Sequence, residues 1–305
     1  MFKIVEKSKL YFAVSAIVIL IGIIGLVINN GFTLSVDFAG GLNMYVDMSA
    51  YVNKGNELDL EGIAKVVQDN TPENVQPSVL RSDANQVVIK TVSISDQTEL
   101  DNMKKALLET YSLDETAILQ IDNIDATVGK ELSSQALTAT LIASVLMLLY
   151  ITIRFEFKTG ISAIVCLLHD VLIMMSFYAV FKIPIDTNFI AAVLTIIGYS
   201  INNTIVVFDR IRENYSRAKR SPFADTVNKS IKQTLGRSIN TSITTLLPIV
   251  MLCILGVSSI RQFALTIIVG LVAGTYSSVF LAGSTWAWLK GIQDNMKRKK
   301  IAKKA

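Results

Sequence analysis

Six runs of apolar residues divide the chain, and each is long enough to cross a lipid bilayer as a helix. A spanning helix needs about 20 mostly apolar residues to cross about 30 Å of hydrocarbon. The runs are Leu10–Ile28, Leu132–Ile153, Ile161–Phe181, Thr187–Phe208, Ser238–Ile260 and Gln262–Leu289. Only Arg261 separates the last two, which predicts a tight helical hairpin. The pattern therefore predicts a polytopic α-helical membrane protein with six transmembrane helices.

The first run predicts a retained membrane anchor rather than a cleaved signal peptide. Its apolar stretch is longer than a signal-peptide core. Asn29-Asn30-Gly31 follows it, where a signal peptide would carry a small-residue cleavage site.

The segment between the first two spans has a different pattern, which predicts an α+β domain. Leu42, Met44, Val46 and Met48 alternate with other residues, as in a half-buried strand. Strand patterns recur at 74–81, 86–92 and 117–124, helical spacing occurs at 60–67 and 97–111, and a turn is predicted at 82–85. The order β-α-β-β-α-β is the ferredoxin-like arrangement.

The composition excludes an ordinary soluble enzyme. Hydrophobic residues make up 51% of the chain and charged residues 18%, against about 25% charged in typical soluble domains. Cys166 and Cys253 both lie inside apolar runs, so no disulfide framework is predicted. The chain has one histidine and no metalloprotease, nucleophile-elbow or phosphate-loop motif, so neither a catalytic site nor a bound metal or cofactor is predicted.

The distribution of Lys and Arg predicts the orientation in the membrane. Twenty of the 29 lie before span one, between spans two and three, between spans four and five, or after span six. The positive-inside rule makes this side cytoplasmic, so both termini are predicted inside, with Trp286 and Trp288 at the inner interface. The predicted parts are a first transmembrane helix (1–30), an external domain (31–131), a five-helix bundle (132–289) and a basic cytoplasmic tail (290–305).

Polar side chains inside the predicted spans mark the candidate site. His169 and Asp170 lie in the middle of span three, where a charge is costly, so they must face the bundle interior or a water-filled cavity. Near the end of span four, Ser200, Asn203 and Asn202 lie within one turn. All of these residues fit either an ion or proton path or hydrogen bonding between helices.

Two charged residues extend this set. Asp209 lies at the inner edge of span four and either belongs to the path or marks the end of the span. Arg237, at the inner mouth of span five, is either a positive partner for a buried carboxylate or an interface anchor.

A stripe of small residues runs along span six and predicts close helix packing. Its members recur every four residues and are Gly270, Gly274, Ser278 and Ala282.

Four motifs in the chain form a recognisable set. One motif is Asp37-Phe38-Ala39-Gly40-Gly41, directly after span one. The others are the run 198–214, the His169-Asp170 step and the run 240–245. Together they resemble the SecF family, the smaller membrane subunits of the bacterial SecD–SecF complex, and the resemblance covers the whole chain.

The resemblance implies partners and a mechanism. SecF pairs with SecD in a twelve-helix bundle of the RND superfamily, and the pair associates with the SecYEG channel. Proton or, in some members, sodium flow is expected to move the external domains and to help draw an unfolded preprotein outward. The implied location is the bacterial plasma membrane, in contact with the lipid bilayer and with no nucleic acid partner.

One residue departs from the family pattern. Many SecF proteins carry an aspartate implicated in proton transport at the position of Asn203, and asparagine cannot exchange a proton near neutral pH. Three alternatives follow. The proton path uses Asp170 with His169, or it lies mainly on SecD. In the third alternative, the complex couples to another ion or couples only weakly. Two alternatives to an ion-driven subunit are a structural assembly subunit and half of an RND-type small-molecule exporter.

Overall fold

The structure is a computed structural model that describes residues 3–71, 77–82, 85–94, 96–154, 156–217, 221–256 and 258–302. The chain forms two compact units, one from residues 1–33 and 139–305 and the other from 34–138. The helices are α1 (Ser8–Ile28), α2 (Val36–Ala39), α3 (Ser49–Val52), α4 (Leu60–Asp69), α5 (Gln97–Tyr111), α6 (Ala126–Arg154), α7 (Phe157–Phe181), α8 (Thr187–Arg217), α9 (Phe223–Leu255), α10 (Ser258–Tyr276) and α11 (Gly283–Ala302). A 3₁₀ turn covers Glu115–Ala117, and a π-helical segment, Ser277–Ala282, joins α10 to α11.

Six helical segments among the described residues are long and apolar enough to cross a membrane, which confirms the predicted number. They are α1, residues 126–151 of α6, α7, α8, α9, and Ile260–Ile292, which runs through α10, the π-helical segment and α11. α7, α8 and α10 pack against one another, α1 packs along α7, and α9 packs on α8 and α10.

The turn between the last two spans differs from the prediction. α9 ends at Leu255, and the chain turns at Gly256 rather than at Arg261. A Cβ atom on Gly256 would lie 2.3 Å from the carbonyl oxygen of Leu252, so the helix end requires glycine. Arg261 lies in the first turns of α10, where its guanidinium donates to the Gly256 carbonyl at 3.4 Å.

The two tryptophans near the end of the chain have different environments. Trp286 is 6% exposed, and its ring packs edge-on against Phe208 and Phe223 at centroid distances of 5.5 and 5.3 Å. Trp288 is 66% exposed. Trp286 is therefore a packing residue within the bundle, and only Trp288 has the exposure that an interface residue would have.

The unit formed by residues 34–138 contains a four-stranded antiparallel sheet. Its strands are β1 (Gly41–Asp47), β2 (Ser78–Arg81), β3 (Gln86–Thr91) and β4 (Ile118–Ile124), and their order across the sheet is β2-β3-β1-β4. β2 is shorter than the predicted strand at 74–81, of which residues 74–76 lie outside the described residues. Of the predicted turn, residues 83 and 84 also lie outside them.

One face of this sheet forms the core of the unit with α4 and α5. Leu42, Met44 and Val46 of β1 are fully buried, as their alternation predicted. Carboxylates cap both helices, because Asp59 accepts from the backbone N–H of Gly62 and Asp96 from that of Thr98.

Candidate functional site

The buried carboxylate of Asp170 is the centre of the candidate site. It lies in the middle of α7 and is 1% exposed. Its Oδ2 accepts hydrogen bonds from Ser200 Oγ at 2.5 Å and Ser277 Oγ at 3.0 Å, and its Oδ1 lies 2.8 Å from His169 Nδ1. These four residues, from α7, α8 and the π-helical segment, are called the Asp170 cluster below.

Glycines of the small-residue stripe allow the close approach of α10 and α8 at this cluster. A Cβ atom on Gly274 would lie 3.2 Å from Ser200 Cβ and 3.5 Å from Asp170 Oδ2. A Cβ atom on Gly270 would lie 2.4 Å from the side chain of Ile196. Ser278 and Ala282 are fully buried. The small residues of the stripe therefore form contacts between helices of this same chain.

Ser277 is the member of the cluster that the sequence pattern missed. It lies one position from the predicted stripe, at the start of the π-helical segment. π-Helical turns change which residues share a face and often occur at functional sites. Cys166 Sγ lies 3.8 Å from the Ser277 carbonyl oxygen, as a weak donor to a group that a regular helix would bond internally.

His169 connects the cluster to α1. Its ring is 7% exposed and stacks on Tyr276, with 5.8 Å between centroids. The Tyr276 hydroxyl donates to the carbonyl oxygen of Tyr11 at 2.8 Å. Packing therefore holds the imidazole beside the Asp170 carboxylate.

The polar residues of α8 separate into two faces. Ser200, Asn203 and Thr204 are buried together, whereas Asn202 is exposed. Among the described residues, Asn203 Nδ2 and Thr204 Oγ1 are buried and have no hydrogen-bond partner. Such atoms are uncommon in native proteins, because a buried polar group without a hydrogen bond is unfavourable.

The two flanking charges lie away from Asp170. Asp209 and Arg237 are both exposed, and neither takes part in the hydrogen bonds of the Asp170 carboxylate. The structure therefore does not bring Arg237 to the cluster as its positive partner.

The Asp170 cluster has the chemistry to hold a proton or a hard cation. A carboxylate exchanges protons, and the two hydroxyl groups stabilise its charged form by hydrogen bonds. Carboxylate and hydroxyl oxygens are also the ligands that hard cations prefer. Within the described part of the chain, no group of three His, Cys, Asp or Glu side chains could hold a metal ion.

Comparisons with known proteins identify the family. The model for the C-terminal part of the protein export membrane proteins SecD/SecF matches residues 103–291. The protein translocase subunit SecF of Sebaldella termitidis is 38% identical over 99% of this chain and 96% of that protein. The chain belongs to the SecF family.

Longer proteins contain a SecF-like part as well. The protein translocase subunit SecDF of Bacillus subtilis is 38% identical over 94% of this chain, but the match spans 38% of that protein. The crystal structure of SecDF from Thermus thermophilus, a translocon-associated membrane protein, matches with a TM-score of 0.83 and 32% identity. That match covers 95% of this chain and 39% of the SecDF chain.

The glycine motif after span one has a structural basis in this SecF chain. Gly40 and Gly41 have φ angles of 78° and 132°, which favour glycine. A Cβ atom on Gly40 would lie 2.5 Å from the Cα of Ala126, at the start of α6. Phe38 is buried, and Asp37 lies with it in the short helix α2. The motif therefore brings α2 close to α6.

Proposed function

We propose that this SecF chain is an accessory subunit of the Sec protein-export machinery, driven by an ion gradient across the bacterial plasma membrane. Family membership supports the export role, because relatives of similar length are named protein translocase subunits. The Asp170 cluster supports the ion-driven step, because it is a buried carboxylate within a membrane-spanning bundle. In this proposal the chain changes conformation to assist export, and it is not an enzyme.

In the proposed step, Asp170 takes up an ion from one side and releases it to the other. The charged carboxylate binds Ser200 and Ser277 strongly, and neutralisation weakens both bonds. The contacts of α7 with α8 and the π-helical segment then change with the ionic state. Each charge that crosses supplies about 2.3 kcal/mol per 100 mV. The unpartnered atoms of Asn203 and Thr204 continue the polar face of α8 as part of the path.

Replacement of Asp170 tests this step. We expect Asp170→Asn to remove the gradient-driven part of preprotein export in vesicles, because an amide cannot exchange a proton. At 100 mV, the movement of one charge across the membrane changes the equilibrium constant of the coupled step by about fiftyfold. Ser278→Ala is the matched control, since this serine is also fully buried but its hydroxyl donates to the Thr275 carbonyl and not to Asp170. Equal gradient-driven export by the two variants would remove Asp170 from the path.

The proposed partner is a SecD-type subunit, with the SecYEG channel and an unfolded preprotein in the full assembly. Exposed polar side chains within the apolar part of the bundle support this partner. Asn202 of α8 and Asn240 of α9 are exposed. Polar groups facing lipid are unfavourable, so a partner helix with complementary polar groups fits this face.

We also propose that the sheet-containing unit is a ferredoxin-like module on the outer side of the membrane. The strand order β2-β3-β1-β4 and the alternation of strands and helices support the module. The excess of Lys and Arg in the other segments supports an inside location for both termini. The proposed parts are the first helix (1–30), this module (31–131), the five-helix bundle (132–289) and the basic tail (290–305).

A second candidate function is a structural subunit that assembles SecD with the channel while SecD carries the ion. Asn203 favours it, because the resemblance to the SecF family implies an aspartate at this position and this chain carries an asparagine. Mutation of the intramembrane carboxylates of SecD separates the two functions. Export that remains ion-driven in that background supports coupling through Asp170, and export that becomes gradient-independent supports the structural subunit.

A further inference from the structure

We propose that a cavity at the basic end of the helical bundle binds the headgroup of an anionic phospholipid. The cavity has a volume of about 660 Å³ and lies among the N-terminal residues, the last turns of α8 and the first turns of α9. Its cations are Lys3, Arg210, Arg217, Lys229 and Lys232, and its carboxylates are Glu6 and Asp225. We call it the basic cavity. The charged residues that line it have a net charge of +3, which suits a phosphate group.

Lys229 and Lys232 are the principal phosphate ligands in this proposal. Arg210 and Arg217 both pair with the carboxylate of Glu213, at 2.5 and 3.0 Å. By contrast, the two lysines are exposed and have no ion pair or hydrogen bond among the described residues. They lie three residues apart on α9, so both ammonium groups can reach one bound anion.

The walls of the basic cavity are held in place by buried amides. Asn228 Oδ1 accepts from the backbone N–H groups of Ile4 and Val5, both at 3.0 Å, and its Nδ2 donates to Glu6. Asn214 Nδ2 donates to Ser230 Oγ and to Gln233 Oε1, both at 2.8 Å. The first contacts fix the segment that carries Lys3, and the second fix α8 against α9. The cavity therefore exists before a ligand binds.

Aromatic side chains at the same turns of α8 indicate the depth of the basic cavity. Tyr215 packs edge-on against Phe223, which packs against Trp286. The ammonium group of Lys290 lies 3.4 Å from the centroid of the Tyr215 ring. Tyr215 is 39% exposed, and an exposed tyrosine with a lysine nearby is typical of the headgroup layer of a bilayer. At the level of the headgroup layer, phospholipid headgroups are the most concentrated anions. A headgroup is therefore the anion that we assign to the cavity.

Native mass spectrometry of the full chain in detergent tests the proposal. Mixed micelles would contain equal amounts of phosphatidylglycerol and phosphatidylcholine, and the lipid retained by each protein would be counted. We expect the wild type to retain phosphatidylglycerol preferentially. Lys229→Gln with Lys232→Gln should weaken this retention about thirtyfold, since each lysine near an anionic headgroup contributes about fivefold in affinity.

The matched control is Lys7→Gln with Arg212→Gln. It removes the same amount of positive charge from two exposed residues that do not line the cavity. Retention near the wild-type value in this control, with loss in the Lys229 and Lys232 variant, supports a lipid site in the cavity. Equal loss in both variants would show a general effect of charge and overturn the proposal.

A second measurement distinguishes the lipid from a free phosphate. Inorganic phosphate and glycerol phosphate would be added at millimolar concentration to the wild type with bound phosphatidylglycerol. Continued retention supports the lipid headgroup as the ligand. Displacement by either soluble anion, or the same retention of both lipids by the wild type, would overturn it.

Discussion

The Asp170 carboxylate accepts hydrogen bonds from hydroxyl groups of other helical segments, so these donors provide a test of its role. Ser277→Ala removes the hydrogen bond to Oδ2. A hydrogen bond to a charged group is worth about 1.5–3 kcal/mol. The loss of this hydrogen bond weakens the contact between Asp170 and the π-helical segment and should lower the gradient-driven part of preprotein export in vesicles.

Ser278→Ala is the control for this prediction. Both serines are fully buried, and each hydroxyl lies within hydrogen-bond distance of a carbonyl three residues earlier, but only that of Ser277 also reaches Asp170 Oδ2. Replacement of Ser278 should leave gradient-driven export in vesicles unchanged. The same loss of gradient-driven export in both variants would contradict a specific role for Ser277.

A second prediction at the residue scale concerns Asn203. We expect Asn203→Asp to be tolerated, because the Nδ2 atom that it replaces makes no hydrogen bond within the described residues. The new acid should make export more dependent on a proton gradient. Size-exclusion chromatography and vesicle export with imposed proton or sodium gradients measure the two effects. An unfolded bundle, or unchanged ion dependence, would count against this expectation.

At the scale of helices, glycine controls how closely the elements approach. A Cβ atom on Gly22 of α1 would lie 2.2 Å from Ser176 Cβ and 2.6 Å from its Cα, so α1 and α7 touch at backbone distance. The low burial of α1 elsewhere leaves this contact as a main attachment of the helix. Close packing of this kind stabilises helix pairs in membranes, where water does not drive apolar groups together.

Gly22→Ala should therefore lower the thermal stability of the detergent-solubilised protein. Overpacking costs about 1–3 kcal/mol because the backbones must separate. Gly198→Ala is the matched control, since its added Cβ meets no atom within 4 Å and alanine favours a helix. A melting curve for Gly22→Ala that equals or exceeds that of Gly198→Ala would disprove this account of the contact.

At the scale of the whole molecule, the chain combines two compact units, and the sheet-containing unit has a core with a buried titratable group. Tyr111 belongs to the core of the sheet-containing unit and is 6% exposed. Burial, with smaller contributions from Asp59 and Tyr51, raises the pKa of Tyr111 to about 12. An unfolded tyrosine has a pKa of about 10, so the folded unit holds this proton more tightly.

The stabilisation from Tyr111 should be complete below pH 10 and should disappear as the pH rises to about 12. The loss is at most about 2–3 kcal/mol. Urea unfolding of a Leu34–Thr138 fragment at pH 9 and 11.5 measures it against Tyr111→Phe. Titration of lysines is common to both proteins and cancels in the comparison. Parallel pH profiles for the two proteins would contradict the prediction.

The local pattern of residues was enough to predict much of the fold. The apolar runs placed six spans, because a helix in lipid must satisfy its backbone internally and present apolar side chains. Alternation in β1 and helical spacing in α5 placed elements of the sheet-containing unit for the same local reason. The prediction for the end of α9 was wrong. In an apolar run, the pattern does not distinguish a glycine that ends a helix from any other small residue.

The sequence by itself determined the membrane class, the six spans and the polar residues that could serve an ion. Only the tertiary structure decided which of them meet. It brought Ser200 and Ser277 to Asp170, left Asn202, Asp209 and Arg237 exposed, and turned the small-residue stripe inward. The physical reason is that helix rotation, close approach and a π-helical shift of register arise from packing between distant segments, which no local pattern records.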